Sequence, residues 1–113
     1  MIEIYHNPRC KKSREGLAIL EESGKDFKIR KYLEDIPSKA ELKTIISKLD
    51  MSPNELVRTQ EKVWKDQFKG KSLSDAEIID ALHQFPKLIE RPIVIHSDKA
   101  VVGRPPEAIK DIV

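Results

Sequence analysis

Ile2-Glu3-Ile4-Tyr5-His6-Asn7-Pro8-Arg9-Cys10 is the stretch from which the rest of the chain is read. Ile2 to Tyr5 alternate in the manner of a strand, and His6-Asn7-Pro8 ends it, because proline donates nothing to a ladder and biases its predecessor away from helix. From Lys11 to Ser23 the only breaker is Gly16. Leu17, Ala18 and Leu20 share one helical face there, and Gly24 is a good C-terminal stop. Phe27-Lys28-Ile29-Arg30 then alternates again. Strand, helix and strand within about thirty residues make a βαβ unit, whose default is a right-handed parallel crossover. Cys10 therefore falls at or just before a helix N-terminus.

Outward from that unit, the middle of the chain reads as helical. Ser38-Lys39-Ala40-Glu41, Ser52-Pro53-Asn54-Glu55 and Ser74-Asp75-Ala76-Glu77 each have the form of a capping box, so three helices are expected to begin there. Leu42, Ile45, Ile46 and Leu49 give the first its core face; Ile78, Leu82 and Phe85 give the last one, closed by Pro86. Val63, Trp64 and Phe68 suggest a shorter segment between them. Pro92-Ile93-Val94-Ile95 and Ala100-Val101-Val102 flank the polar turn His96 to Lys99 and predict a hairpin. Pro105-Pro106 opens a short terminal helix. The order is β-α-β, helical insertion (about 38–85), β-β-α: an α/β protein with a four-stranded mixed sheet, in one domain spanning 1–113.

Composition narrows the function. With 113 residues, 39% apolar and 35% charged, the chain belongs with globular proteins able to hold a core. No apolar run exceeds four residues, which excludes a membrane span and a signal-peptide core and places the protein in the cytoplasm. Lys plus Arg (21) against Asp plus Glu (19) leaves +2, so no nucleic-acid partner is implied. Cys10 is the one cysteine. It can form no internal disulfide and no CxxC pair, so any redox chemistry needs an external thiol. The sequence offers no Cys/His cluster for a metal.

The surroundings of Cys10 are those of an activated thiol. Helix-end amides and dipole stabilise a thiolate, lowering its pKa from about 8.5 into a range of about 3.5 to 7.5. Between His6 and Arg14 stand one imidazole, one hydroxyl (Ser13) and four cations, all favouring a nearby anion. A buried structural cysteine would not be flanked by Arg9 and Lys11. Free amides and cations also make the loop an anion cradle suited to a tetrahedral oxyanion. Only six of the 21 basic residues are arginine; Arg58, Arg91 and Arg104 stand at unusual places, the last two directly before prolines.

His6-Asn7-Pro8-Arg9-Cys10 with Ser13-Arg14, Leu56-Val57-Arg58, Ile89-Glu90-Arg91-Pro92-Ile93-Val94 and Gly103-Arg104-Pro105-Pro106-Glu107 resemble, in order over essentially the whole chain, the glutaredoxin-coupled arsenate reductase family. The resemblance implies a thioredoxin-like fold with a helical insertion. It implies that Cys10 is the nucleophile that attacks arsenate, that His6 and Ser13 assist its thiolate, and that Arg58, Arg91 and Arg104 bind the oxyanion. Asn7 and Pro8 shape the loop, and Pro92 would be a cis proline opening the strand beside Cys10; proline is the usual site of cis bonds. It further implies arsenate or a similar oxyanion as substrate, glutathione as external reductant, glutaredoxin as protein partner, and no bound cofactor.

Two other functions compete: a glutathione-dependent thiol reductase of another substrate, and an Spx-type regulator that binds RNA polymerase. The latter's usual switch is a CxxC at the first helix, where this chain has Ser13. His83 and His96 lack acidic or cysteine partners at ligand spacing and read as structural or solvated. Trp64, Phe68 and Phe27 read as core residues, not stacking platforms, because they do not alternate with basic residues.

Overall fold

A computed structural model describes all 113 residues. The chain forms two compact units: residues 1–35 with 91–113, and residues 36–90. No helix is long and apolar enough to cross a membrane.

The first unit is built on β1 (Ile2–Tyr5), α1 (Lys11–Glu22), β2 (Phe27–Arg30), β3 (Ile93–His96) and β4 (Lys99–Val102). The strands lie in the order β2-β1-β3-β4. β1 and β2 are parallel, while β3 is antiparallel to both β1 and β4. This is the thioredoxin-like mixed sheet. α1 ends at Ser23, and Gly24 takes the positive φ of +72° that a side chain would resist. Ser97 opens the hairpin turn at φ 57°. The terminal helix is a 3-10 segment, Pro106–Asp111, instead of the expected α-helix, with Ala108 N–H donating to the Pro105 carbonyl and Ile112 N–H to that of Ile109, each three residues back.

Ile2 and Ile4 of β1, Val94 of β3, Leu20 of α1 and Ile109 of the terminal turn form the core of this unit. Each isoleucine or leucine fully buried in this way contributes about 1.5–3 kcal/mol. Gly16 and Gly103 allow the closest approaches. A Cβ on either would stand 2.9 Å from both Ile109 Cδ1 and Pro92 Cγ.

Register fixes where the loops emerge. Tyr5 pairs with Arg30 and with Ile93, and Ile93 pairs with Val102. The chain after β1, after β2, before β3 and after β4 therefore leaves the sheet at one end. His6, Lys31, Arg91 and Arg104 all belong to that end.

The second unit holds α2 (Lys39–Leu49), a 3-10 turn (Pro53–Leu56), α3 (Lys62–Gln67), α4 (Asp75–Gln84) and a further 3-10 turn (Pro86–Leu88). The boxes at Ser38 and Ser74 are complete, each serine accepting from the third-position amide while the glutamate accepts from the serine amide. Ser52 differs. Its amide and hydroxyl both meet the Glu55 carboxylate, and the segment it opens is a single 3-10 turn, not the expected helix. The chain is diverted because Val57 bridges Ile89, with Arg58 N–H donating to the Leu88 carbonyl and Glu90 N–H to that of Leu56. Leu42, Ile45, Ile46, Leu56, Ile78, Ile79, Leu82 and Leu88 are buried. Trp64 stacks on Phe68, which meets Phe85 edge-on, yet α3 buries no residue fully. His83 Nδ1 bonds the Pro37 carbonyl, and in the first unit His96 Nδ1 bonds that of Ile112. Both histidines are thus structural.

Candidate active site

Beyond Tyr5 the pairing with β2 continues for one bond, His6 N–H to the Arg30 carbonyl at 2.8 Å. The loop then turns sharply on Asn7, whose Oδ1 accepts from Arg9 N–H at 3.0 Å and whose carbonyl accepts from Cys10 N–H at 3.0 Å. An Asx turn followed by proline is what this sequence favours. Cys10 is the N-cap of α1, with extended backbone (φ −96°, ψ 122°), and its carbonyl receives the first helical bond from Arg14. Arg14 also ties back to the loop through Nη1 and the Pro8 carbonyl, 3.2 Å away.

Ser13 is the buried hub of the loop. Its Oγ accepts from Asn7 N–H at 2.9 Å and lies 2.6 Å from His6 Nδ1. His6, Asn7 and Ser13 are all buried, Ser13 completely. Burial pulls the His6 imidazole below its ordinary value, the Lys31 charge pulls it further, and the Ser13 hydrogen bond opposes them. His6 is accordingly held toward its neutral form.

Cys10 is free and buried. Burial pushes its thiol up; against this, a hydrogen bond from Arg91, the Ser13 amide, the Arg91 charge and the Lys12 amide together bring it below the ordinary thiol value. Arg104 adds a second guanidinium, with Nη2 3.6 Å from Sγ and Nε donating to the Arg91 carbonyl at 2.8 Å. The Arg91–Pro92 and Arg104–Pro105 peptide bonds are both cis. Gly103 N–H donates to the Pro92 carbonyl at 2.8 Å, so the two arginine-bearing turns are stitched to each other.

The structure thus brings together Cys10, His6, Ser13, Asn7, Pro8, Arg91, Pro92 and Arg104 in the first unit. Arg58 belongs to the second. There its guanidinium is ion-paired through Nε to Glu61 at 3.3 Å and through Nη1 to Glu90 at 3.2 Å, and its side chain is 12% exposed. No group of three His, Cys, Asp or Glu side chains gathers to hold a metal. The residue pattern alone does not single out Lys31 or Arg14, whose charges both act on His6. The parallel register of β1 and β2 is the signal for Lys31: it succeeds Arg30 as His6 succeeds Tyr5.

A thiolate beside two guanidinium groups and helix-end amides can attack an electrophilic centre and neutralise the negative charge of the group that carries it. The model of the ArsC family matches residues 5–112. The uncharacterized protein YfgD of Escherichia coli K12 is 44% identical, covering 99% of this chain and 96% of its own. A Haemophilus influenzae protein named arsenate reductase is 44% identical, covering 96% of each chain. The solved structure of an arsenate reductase from Vibrio cholerae superposes with a TM-score of 0.95 at 44% identity, covering 99% of this chain and 97% of the other.

Proposed function

The chain belongs to the ArsC family, and from that premise we propose that it is a cytoplasmic arsenate reductase using glutathione and glutaredoxin as external reductants. The observation that carries this reading is the Cys10 thiol lowered at the N-terminus of α1 with Arg91 and Arg104 upon it. The guanidinium groups and loop amides receive the oxyanion, reducing the repulsion that would keep it from the thiolate.

Cys10 thiolate attacks arsenic in dihydrogen arsenate. A sulfur–arsenic bond forms, and one arsenic-bound hydroxyl takes up a proton from solvent and leaves as water. The thiol of glutathione then attacks the Cys10 sulfur. A disulfide forms, the sulfur–arsenic bond breaks with its electron pair left on arsenic, and arsenic(V) becomes arsenic(III); the thiol proton goes to the departing arsenite. A glutaredoxin thiol next attacks the glutathione sulfur of the mixed disulfide and frees Cys10. His6 and Ser13 are positioning residues, fixing the loop so that the Lys12 and Ser13 amides face the thiolate. Ser13 occupies the place of the second thiol of a CxxC and is already committed to Asn7 and His6, which favours this reading over a disulfide-switched regulator.

The test is NADPH consumption in a mixture of arsenate, glutathione, glutaredoxin and glutathione reductase. Arsenate-dependent turnover that disappears in Cys10→Ser is expected. Turnover on glutathione mixed disulfides with none on arsenate would select the general thiol reductase instead.

A further inference from the structure

A second concavity shares the reactive loop. Besides His6, it is lined by Asn7, Pro8 and Arg9 on one side and by Lys31, Leu33 and Glu34 on the other, and encloses about 310 Å³, at the lower end of small-ligand pockets. Both walls are hydrogen-bonded turns. Asn7 closes the first, its side-chain Oδ1 accepting from Arg9 N–H and its carbonyl from Cys10 N–H, and in the second the Glu34 and Asp35 amides both donate to the Lys31 carbonyl at 3.0 and 2.8 Å. Arg9, Lys31 and Glu34 are exposed, and none of the three is engaged in an ion pair. Pro8 and Leu33, itself 37% exposed, add the apolar part.

Three unspent charges in one cleft describe its guest: two anionic groups for Arg9 and Lys31, one cationic group for Glu34, and a short apolar stem between. We infer that this cleft is the subsite for the thiol co-substrate, a small peptide thiol with two carboxylates and one ammonium group, which is the charge pattern of glutathione. The carbonyl of Asn7, a wall residue, accepts from the Cys10 amide, so the cleft and the reactive cysteine belong to one turn, whereas Arg91 and Arg104 stand at the thiol itself. The identity of the guest rests on the proposed reaction; the existence of a binding cleft does not.

The test is a titration of Cys10→Ser protein with S-methylglutathione, which cannot react, monitored by amide NMR. Shifts confined to residues 6–9 and 31–34 are expected. Arg9→Glu with Lys31→Glu should weaken binding by about tenfold, while Lys31→Arg should keep it. Shifts centred elsewhere, an affinity unchanged by the double reversal, or no shifts at about 50 mM probe would each overturn the assignment. The two readings fail separately. Cleft-confined shifts without arsenate turnover would refute the proposed reaction alone. Glutathione-dependent arsenate turnover whose glutathione KM ignores the double reversal would refute the cleft alone.

Discussion

Arg104 Nη2 lies 3.6 Å from Cys10 Sγ, across 94 positions of sequence, while the Nε of the same group donates to the Arg91 carbonyl. One edge of the planar fork is thus fixed to backbone, so the other is aimed at sulfur. Arg104→Ala should weaken oxyanion binding by about ten- to a hundredfold, the loss of a contact worth about 1.5–3 kcal/mol. Arg104→Lys should recover only part of it, because an ammonium restores charge without the fork. Isothermal titration with arsenate or sulfate measures both; full recovery by lysine would contradict the geometric role.

Arg91 acts more strongly on the thiolate than any other side chain. Alkylation of Cys10 measured against pH should show a midpoint below that of a free thiol. Arg91→Ala should move it upward. A wild-type midpoint at the ordinary thiol value would remove the activated nucleophile from the mechanism.

His6 sets a second pH dependence. Its folded pKa lies below its ordinary value of 6.5, so the unfolded chain binds more protons as pH falls through 6.5. Stability is therefore lost on acidification from 6.5 toward the folded value, and His6 contributes no slope above that window. Denaturant midpoints from pH 4.5 to 8 should fall on the acid side, and less steeply in His6→Asn. An identical slope in the variant would mean that other groups carry it.

Ser13→Ala removes the shared partner of two buried groups, Asn7 N–H and His6 Nδ1. An orphaned buried polar group costs about 1–3 kcal/mol, so urea unfolding should register a loss of that order. Ser13→Cys, whose sulfur keeps a weak acceptor for the Asn7 amide, should lose less when unfolded under reducing conditions. A neutral Ser13→Ala would show the loop to be held by other means.

Gly16→Ala tests opposing effects within α1. Alanine gains about 1 kcal/mol of intrinsic helix stability, but its Cβ would stand 2.9 Å from Pro92 Cγ and Ile109 Cδ1. Overpacking costs about 1–3 kcal/mol. Thermal unfolding should show net destabilisation, and a more stable variant would mean that Pro92 can move aside.

Legibility in the sequence tracks the range of the interactions. The turn at Asn7-Pro8, the caps at Ser38 and Ser74 and the hairpin are local, and their residue types name them. Ser52 carries the same cap signature, but its helix is cut short by the bridge of Val57 to Ile89, a pairing across the unit that no local pattern encodes. The convergence of Arg91 and Arg104 on Cys10 depends on strand register. Sequence spacing is silent on it, and only the family resemblance suggests it. Arg58 shows the limit of that route, because nothing in the resemblance points to its two carboxylate partners, Glu61 and Glu90.

The place of β1 in the sheet governs how the site is lost. β1 has a hydrogen-bonded neighbour on each side, whereas β2 and β4 are edges. Amides of an inner strand exchange with solvent only through the largest unfolding events, and those of edges through smaller local ones. The Cys10 loop hangs from β1, and Arg91 leads into β3, the other inner strand. Nucleophile and principal cation therefore share the most slowly opening part of their unit. Fraying of the β2 edge leaves Cys10 and Arg91 in place, whereas fraying of β4, which carries the chain to Arg104, withdraws one of the two guanidinium groups before the nucleophile itself is lost.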